Sequence, residues 1–365
     1  SSTSRGLGDV YKRQGYSLFQ NLIAGGQNEE GIDVTNDLSF MSIQASMHVF
    51  LPQPSLSVRV WNGTPHEFLI RAAELTRTGI GLPAYYNDEV IIPSLMSRGL
   101  TLRDARDYNI IGCVEPQKSG KTEGWHDAAF FNMCRPLELV FSNGMDKGVR
   151  IGPATGNVED MTTFEQFYDA YKKQMDYAIQ LLVNADNAID MAHAERCPLP
   201  FLSSMVDDCM KVGKTVQEGG AVYNFTGPQG FGVANMADSL YSVKTLVYDE
   251  KKITMGELKE ALATNYGKGL GAEDVAAMTA KIANELKEAG KTIGEKEVAA
   301  ILNTVVAASE APEVKANGER ILKLIEEVPK FGNDIPEVDA FARDVAYTYT
   351  CLLYTSPSPR DVEES

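Results

Sequence analysis

The segment that most constrains the fold is an apolar run over residues 109–114 that leads into the sequence GCVEP at residues 112–116. Glycine favours turn conformations, and proline interrupts regular backbone pairing, so a loop is expected here. In an extended segment the side chains of residues i and i+2 face the same way, whereas in a helix they diverge. We therefore expect the thiol of Cys113 and the carboxyl of Glu115 to converge in this segment, which we call the cysteine loop (residues 111–117).

Other interpretations of the cysteine stay open at this stage. A single cysteine in an apolar run is typical of a buried core residue. Cys113 is also a candidate nucleophile with His126 as its base. That pairing gives Glu115 no role and needs an electropositive, partly open site, whereas the segment is apolar.

Periodicity predicts an α/β chain. A buried strand over residues 109–114 that ends in a loop is how barrel enzymes present catalytic groups at one rim. A second strand is expected at residues 57–60, and Thr101 has the position of a helix N-cap. Helices or helix-like turns are predicted at residues 15–26, 33–48, 65–78, 101–107, 128–143 and 163–187.

The composition is that of a globular protein, with 365 residues, 44% hydrophobic and 23% charged. A net charge of −16 argues against binding to nucleic acid or to anionic membranes. No apolar stretch is long enough for a transmembrane helix. Five widely spaced cysteines include no CxxC pair, which favours free thiols in a reducing compartment. A cytoplasmic protein is the expected class.

Both ends of the chain have an unusual composition. Residues 1–14 (SSTSRGLGDVYKRQ) are polar, and residues 351–361 (CLLYTSPSPRD) end in a Ser-Pro alternation that no packed element is expected to use. We interpret residues 1–14 and 351–365 as sequencing or assembly artefacts on either side of residues 15–350, and we expect the true protein to be longer at both ends.

Hydrolytic and nucleotide-binding chemistry find little support in the sequence. The four histidines include no HExxH pair, and no GxSxG nucleophile elbow is present. The glycines of residues 227–232 (GPQGFG) match neither a dinucleotide fingerprint nor a Walker loop, which favours close backbone packing instead. No metal site is predicted.

The cysteine loop resembles that of the glycyl radical enzymes of the pyruvate formate-lyase-like superfamily, in particular their dehydratase and lyase branch. Three further stretches share the resemblance, which extends from about residue 15 to residue 350: GYSLFQNL at residues 15–22, EGWHDAAFFN at 123–132 and GGAVYN at 219–224. The resemblance implies the central part of a ten-stranded α/β barrel, with the cysteine loop inside and helices outside. Residues 273–324, rich in Ala, Glu and Lys, are then a peripheral helical excursion.

The resemblance also implies a radical elimination on a small hydroxylated substrate such as glycerol or propane-1,2-diol. Cys113 would become a thiyl radical in a dry pocket and abstract hydrogen, and Glu115, shielded from water, would accept a hydroxyl proton. Asp127 matches an aspartate that holds a substrate hydroxyl, and Phe19 matches a pocket wall. Asp127 is equally well placed to be an N-cap of the helix predicted from residue 128.

Alternatives within the resemblance are a formate C-acetyltransferase, an isethionate or choline lyase, and a non-catalytic scaffold paralogue. The acetyltransferase has two consecutive cysteines, whereas Cys113 lies between Gly112 and Val114. The family's glycyl radical lies in a run close to Arg-Val-Ser-Gly-Tyr, which the sequence does not contain, so the fragment alone is expected to be inactive. The implied partners are a radical S-adenosylmethionine activating enzyme with an iron–sulfur cluster, a second copy in a homodimer and the small-molecule substrate.

Overall fold

The computed structural model describes residues 21–269 and 311–356, so Phe19 and most of the predicted excursion lie outside the described residues. The described chain divides into two units. The first contains residues 21–126 and 189–227, and the second contains residues 127–188, 228–269 and 311–356.

The elements mix short strands with helices throughout. The strands are β1 (Asn21–Gly25), β2 (Ser55–Val60), β3 (Ala84–Asn87), β4 (Asn109–Ile111), β5 (Glu115–Gln117), β6 (Thr122–Trp125), β7 (Phe130–Asn132), β8 (Met145–Asp146), β9 (Val149–Arg150), β10 (Tyr223–Thr226) and β11 (Gln229–Phe231). The helices are α1 (Asp37–Val49), α2 (His66–Thr76), α3 (Asp88–Ser97), α4 (Leu102–Arg106), α5 (Arg135–Phe141), α6 (Phe164–Arg196), α7 (Pro200–Ser203), α8 (Cys209–Val212), α9 (Val233–Val243), α10 (Met255–Ala263), α11 (Pro312–Glu327) and α12 (Pro336–Tyr354).

A parallel sheet of β1, β2 and β3, in that order, forms the base of the first unit. Helices α1 and α2 connect the strands, as parallel neighbours require. Leu56, Ser57 and Val58 of the central strand are all buried, although they alternate between the two faces. Burial on both faces is typical of a parallel strand that is covered on each side.

A buried ion pair joins this sheet to the segment that precedes the cysteine loop. Arg59 on β2 donates from Nε and Nη2 to the two carboxylate oxygens of Asp88, at 2.9 and 2.8 Å. The Tyr108 hydroxyl donates to Asp88 at 2.8 Å, and its ring lies 3.9 Å from the guanidinium carbon of Arg59. Burial raises the pKa of Tyr108, so its hydroxyl remains a donor. Arg59 also donates to the carbonyl of Arg106, 2.8 Å away, and thereby fixes the chain just before β4.

Aromatic and aliphatic side chains from α6, α9 and α12 form the core of the second unit. Phe167, Tyr171 and Met175 of α6 are fully buried in the same cluster as Met236 and Val345. Strands β7 and β11 pair in parallel within this unit. Gly230 of β11 leaves room for the Met133 side chain, because a Cβ there would lie 2.4 Å from Met133 Cε.

Several sequence predictions are confirmed and others are wrong. The N-cap of Thr101 is confirmed, since its side chain accepts from Asp104 N. The helix predicted over residues 128–143 is wrong in its first half, where β7 precedes α5. Within the described part of residues 15–26, strand β1 replaces the predicted helix, because it pairs with β2.

The α/β class is confirmed, but no closed sheet occurs within residues 21–269 and 311–356. These residues form one three-stranded and four two-stranded sheets. Ile321 on α11, in the last part of the predicted excursion, is fully buried in the core cluster of the second unit. Helix α12 continues through Cys351 to Tyr354, past the boundary predicted at residue 350. None of the helices described is long and apolar enough to cross a membrane.

Replacing Asp88 by Asn should destabilise the chain by about 3–5 kcal/mol, because it leaves the buried Arg59 guanidinium without a neutralising charge. The matched control is Glu74→Gln, which breaks the exposed Arg71–Glu74 ion pair and should cost about 0–1 kcal/mol. Urea unfolding measures both variants. Equal losses of stability in the two variants would contradict a special role for the buried Arg59–Asp88 ion pair.

Candidate active site

The cysteine loop folds as a tight antiparallel hairpin. In the register of β4 and β5, Ile111 faces Glu115, so three residues, Gly112 to Val114, form the connection. We call these three residues the hairpin tip. Gly112 has φ +61°, a left-handed conformation that favours glycine. The loop expected at Gly112 therefore forms, with Cys113 at its centre. Pro116 does not interrupt the pairing as expected, because it lies in β5 opposite Ile110.

The carboxylate of Glu115 folds back against the hairpin tip. Its Oε2 atom accepts hydrogen bonds from the backbone N–H groups of Cys113 and Val114, both at 2.9 Å. Glu115 is only 7% exposed. Two N–H donors stabilise a buried carboxylate and hold it in one orientation, which brings the acid of Glu115 next to the backbone that carries the thiol.

Two carbonyl groups of the hairpin tip accept side-chain hydrogen bonds from the parallel sheet. The hydroxyl of Tyr86 on β3 donates to the carbonyl of Cys113. Asn21, the first residue of β1, donates through Nδ2 to the carbonyl of Gly112 at 3.3 Å. Burial raises the pKa of Tyr86, and the nearby Glu115 and Cys113 act in the same direction. Tyr86 therefore keeps its proton and remains a donor.

The Cys113 side chain is exposed and forms no disulfide. This differs from the expected interior position, and from the interpretation as a buried core residue. The reason is the hairpin, whose tip projects beyond its two strands. Ile111 and Val114 in the same segment are also exposed, at 45% and 49%.

His126 and Asp127 follow β6 and take different partners. His126 Nε2 lies 3.2 Å from Gln117 Oε1, and its ring packs against Phe225. In the second unit, Asp127 is exposed and accepts a hydrogen bond from Gln229 Nε2. Asp127 does not cap a helix, because the next element is strand β7. The N-cap interpretation is therefore wrong.

Tyr86, Asn21 and Gln229 are contacts that the sequence reasoning did not assign. Tyr86 and Asn21 lie 27 and 91 residues from the carbonyls they bind, and Gln229 lies 102 residues from Asp127. No local pattern indicates partners at such separations. The sequence contained only indirect indications that these residues belong to the site: Asn21 and Asp127 lie in stretches that carry the family resemblance. Among the described residues, no group of three or more His, Cys, Asp or Glu side chains is arranged to hold a metal ion.

The family model for pyruvate formate lyase-like proteins matches residues 10–363, and the chain belongs to this family. Its relatives are glycyl radical dehydratases and lyases, which confirms the branch predicted from the cysteine loop.

Two solved structures are especially similar. One is the protein of a study of 1,2-propanediol dehydration in Roseburia inulinivorans, 62% identical, with a TM-score of 0.85 over 94% of this chain and 41% of that chain. The other is the glycerol-bound B12-independent glycerol dehydratase from Clostridium butyricum, 53% identical, with a TM-score of 0.74 over 95% of this chain and 38% of that one.

Among curated relatives, the (2S)-3-sulfopropanediol dehydratase of Klebsiella oxytoca is 39% identical over 68% of this chain and 30% of its own length. The trans-4-hydroxy-L-proline dehydratase of Clostridioides difficile is 38% identical over 69% of this chain and 32% of its own length. The chain thus spans about a third of the length of these relatives.

Replacing Gly112 by Ala should release Glu115 from the hairpin tip. A Cβ at this position would lie 2.9 Å from Glu115 Oε2, in a backbone conformation that L residues rarely adopt. Amide hydrogen exchange of Cys113 and Val114 should therefore accelerate.

The matched control is Gly120→Ala, where φ is +75° and no atom lies within 4 Å of the added Cβ. Both variants should lose about 1–2 kcal/mol of stability from the left-handed backbone. Only Gly112→Ala should expose the two amides. Unchanged exchange there would show that the clamp tolerates the added methyl group.

Proposed function

We propose that this chain is the thiyl-bearing central segment of a glycyl radical dehydratase that removes water from a small vicinal diol, such as glycerol or propane-1,2-diol. The observation that carries the proposal is the Glu115 carboxylate, which is held by the amides of Cys113 and Val114 within the cysteine hairpin. The similarity to the propanediol and glycerol proteins supports the choice of substrate.

In the proposed reaction, Cys113 transfers a hydrogen atom and Glu115 transfers a proton. The sulfur radical of Cys113 takes a hydrogen atom from the hydroxyl-bearing carbon C1, so a C–H bond breaks and an S–H bond forms. Glu115 accepts the proton of the C1 hydroxyl. The bond between C2 and its oxygen then breaks, and the departing hydroxide takes up the proton that Glu115 accepted and leaves as water, which returns Glu115 to its carboxylate form. Cys113 returns its hydrogen atom to C2, which yields an aldehyde and restores the sulfur radical.

The amide clamp orients the Glu115 carboxylate for this proton transfer. Its Oε2 atom accepts from the backbone amides of Cys113 and Val114, and these two contacts fix the plane of the carboxylate. A base held in one geometry avoids the entropic cost of being oriented during the reaction.

Asp127 holds a second substrate hydroxyl in this proposal, and Phe19 lines the pocket. Gln229 donates to one carboxylate oxygen of Asp127, Oδ1, and orients the group. A carboxylate with a fixed orientation selects for hydroxyl donors, so it suits a diol better than an apolar substrate. Phe19 lies outside the described residues, and its role rests on the family resemblance.

The radical comes from outside the described residues. A glycyl radical, installed by a radical S-adenosylmethionine activating enzyme, would supply the oxidising equivalent that converts the Cys113 thiol into a thiyl radical. Cys113 forms no disulfide, so its thiol carries the hydrogen atom that this step removes. A cytoplasmic homodimer is part of the same proposal.

The residues on either side of Cys113 favour elimination over acyl transfer. Gly112 and Val114 replace the second cysteine that a formate C-acetyltransferase would need. Isethionate and choline lyases use the same type of hydrogen abstraction with a different leaving group, and the product assay below separates them. A scaffold paralogue would form no product from any of the substrates.

The protein that carries this chain, expressed from its complete gene and activated anaerobically, should convert glycerol or propane-1,2-diol to the aldehyde. Cys113→Ser should abolish turnover while the glycyl radical signal persists in electron spin resonance, because only the hydrogen-abstracting atom is lost. Glu115→Gln should lower kcat by about 10²–10⁴-fold, the usual loss for a removed general base.

The matched control for the thiol is Cys197→Ser, which changes another exposed cysteine and should leave turnover intact. Full activity of Cys113→Ser would contradict the proposal. If choline or isethionate gives product and neither diol does, the substrate is not a vicinal diol.

Asp127→Asn should raise KM for the diol more strongly than it lowers kcat, because an amide is a weaker acceptor for the substrate hydroxyl than a carboxylate. Steady-state kinetics over a range of diol concentrations measure the two effects separately. The exposed Asp169→Asn in the same unit is the control and should change neither value. An unchanged KM in Asp127→Asn would remove this residue from the substrate site.

A further inference from the structure

Four backbone polar groups of the hairpin tip are bound by side chains. The N–H groups of Cys113 and Val114 donate to Glu115, and the carbonyls of Gly112 and Cys113 accept from Asn21 and Tyr86. Three side chains from β1, β3 and β5 therefore determine the conformation of a three-residue segment. Such a segment cannot move without breaking hydrogen bonds, although its central thiol is exposed.

Tyr86 is the member of this set that is anchored in the core. It lies on β3, is 8% exposed and belongs to the buried cluster that includes Tyr108 and Ile110. Its hydroxyl reaches the carbonyl of Cys113 from that cluster. The neighbouring Tyr85 is 45% exposed on the opposite face of the strand, and its hydroxyl lies 2.8 Å from Thr76 Oγ1.

We propose that Tyr86 is a positioning residue for the radical reaction, which holds the backbone of Cys113 so that sulfur and the Glu115 carboxylate keep a fixed relation during hydrogen transfer. This inference rests on the proposed function. Hydrogen abstraction and return both require the sulfur close to a substrate carbon, and a displacement of about 1 Å can cost up to 10²-fold in rate. Tyr86 acts through the Cys113 backbone and does not itself contact substrate.

The burial of Tyr86 also explains why a tyrosine suits this position. Burial raises its pKa, and the neighbouring Glu115 and Cys113 favour the protonated phenol as well. A neutral hydroxyl is a constant donor to the carbonyl. A serine or threonine at this position would not reach from β3 to the hairpin tip, because the ring supplies the span.

The test compares Tyr86→Phe with Tyr85→Phe, which delete the same hydroxyl from adjacent residues. In the activated holoenzyme, Tyr86→Phe should lower kcat about 10- to 100-fold, with an unchanged KM and an unchanged glycyl radical yield. Tyr85→Phe should match the unsubstituted enzyme. A purely structural role of Tyr86 would instead lower the radical yield and the unfolding midpoint together.

A second measurement needs no radical chemistry. In the 365-residue chain, amide hydrogen exchange of Cys113 and Val114 should accelerate in Tyr86→Phe and stay unchanged in Tyr85→Phe, because only the former loosens the tip. Wild-type kcat and wild-type exchange in Tyr86→Phe would overturn the inference. If the unsubstituted holoenzyme forms no product at all, the proposed function fails, and the exchange experiment alone decides whether Tyr86 holds the tip.

Discussion

Burying the charge of Arg59 is the constraint on which the first unit depends. A guanidinium in the interior is strongly unfavourable unless its charge is neutralised and its N–H groups are bound. Asp88 meets both needs with a two-pronged contact, Tyr108 adds a hydroxyl and a ring, and the carbonyl of Arg106 takes a remaining donor. These partners come from α3 and from the chain just before β4. The satisfied charge therefore places the start of the cysteine hairpin relative to the parallel sheet.

The same sheet supports the far end of the hairpin. Tyr86 and Asn21, on β3 and β1, bind carbonyls at the tip, and Glu115 binds the amides there. The hairpin is thus held at its base by an ion pair and at its tip by neutral and charged hydrogen bonds. This organisation allows an exposed thiol to have a defined position. A reactive group on a rigid support meets its substrate with little loss of entropy at the moment of reaction.

Local patterns predicted elements well wherever the determining contacts are local. The cap at Thr101 and the long helix α6 follow from residues within a few positions of each other. Local patterns failed for residues 128–132, where the apolar residues continue a helical pattern with Leu137 and Val140 but Phe130 and Phe131 form β7. That strand exists because β11, about a hundred residues further along, pairs with it. Strand β1 was missed for the same reason, since its partner β2 is a separate segment.

The sequence by itself determined which functional groups lie next to each other: a cysteine and a glutamate two residues apart, between a glycine and a proline, in a motif that resembles that of a known family. Covalent order and backbone preference suffice for that, because all the groups lie within one loop. Only the tertiary structure decided that the thiol is exposed, that Tyr86 and Asn21 clamp the tip, and that Asp127 is bound by Gln229. These are contacts between distant segments, whose free energy depends on burial and geometry that exist only after the chain has folded.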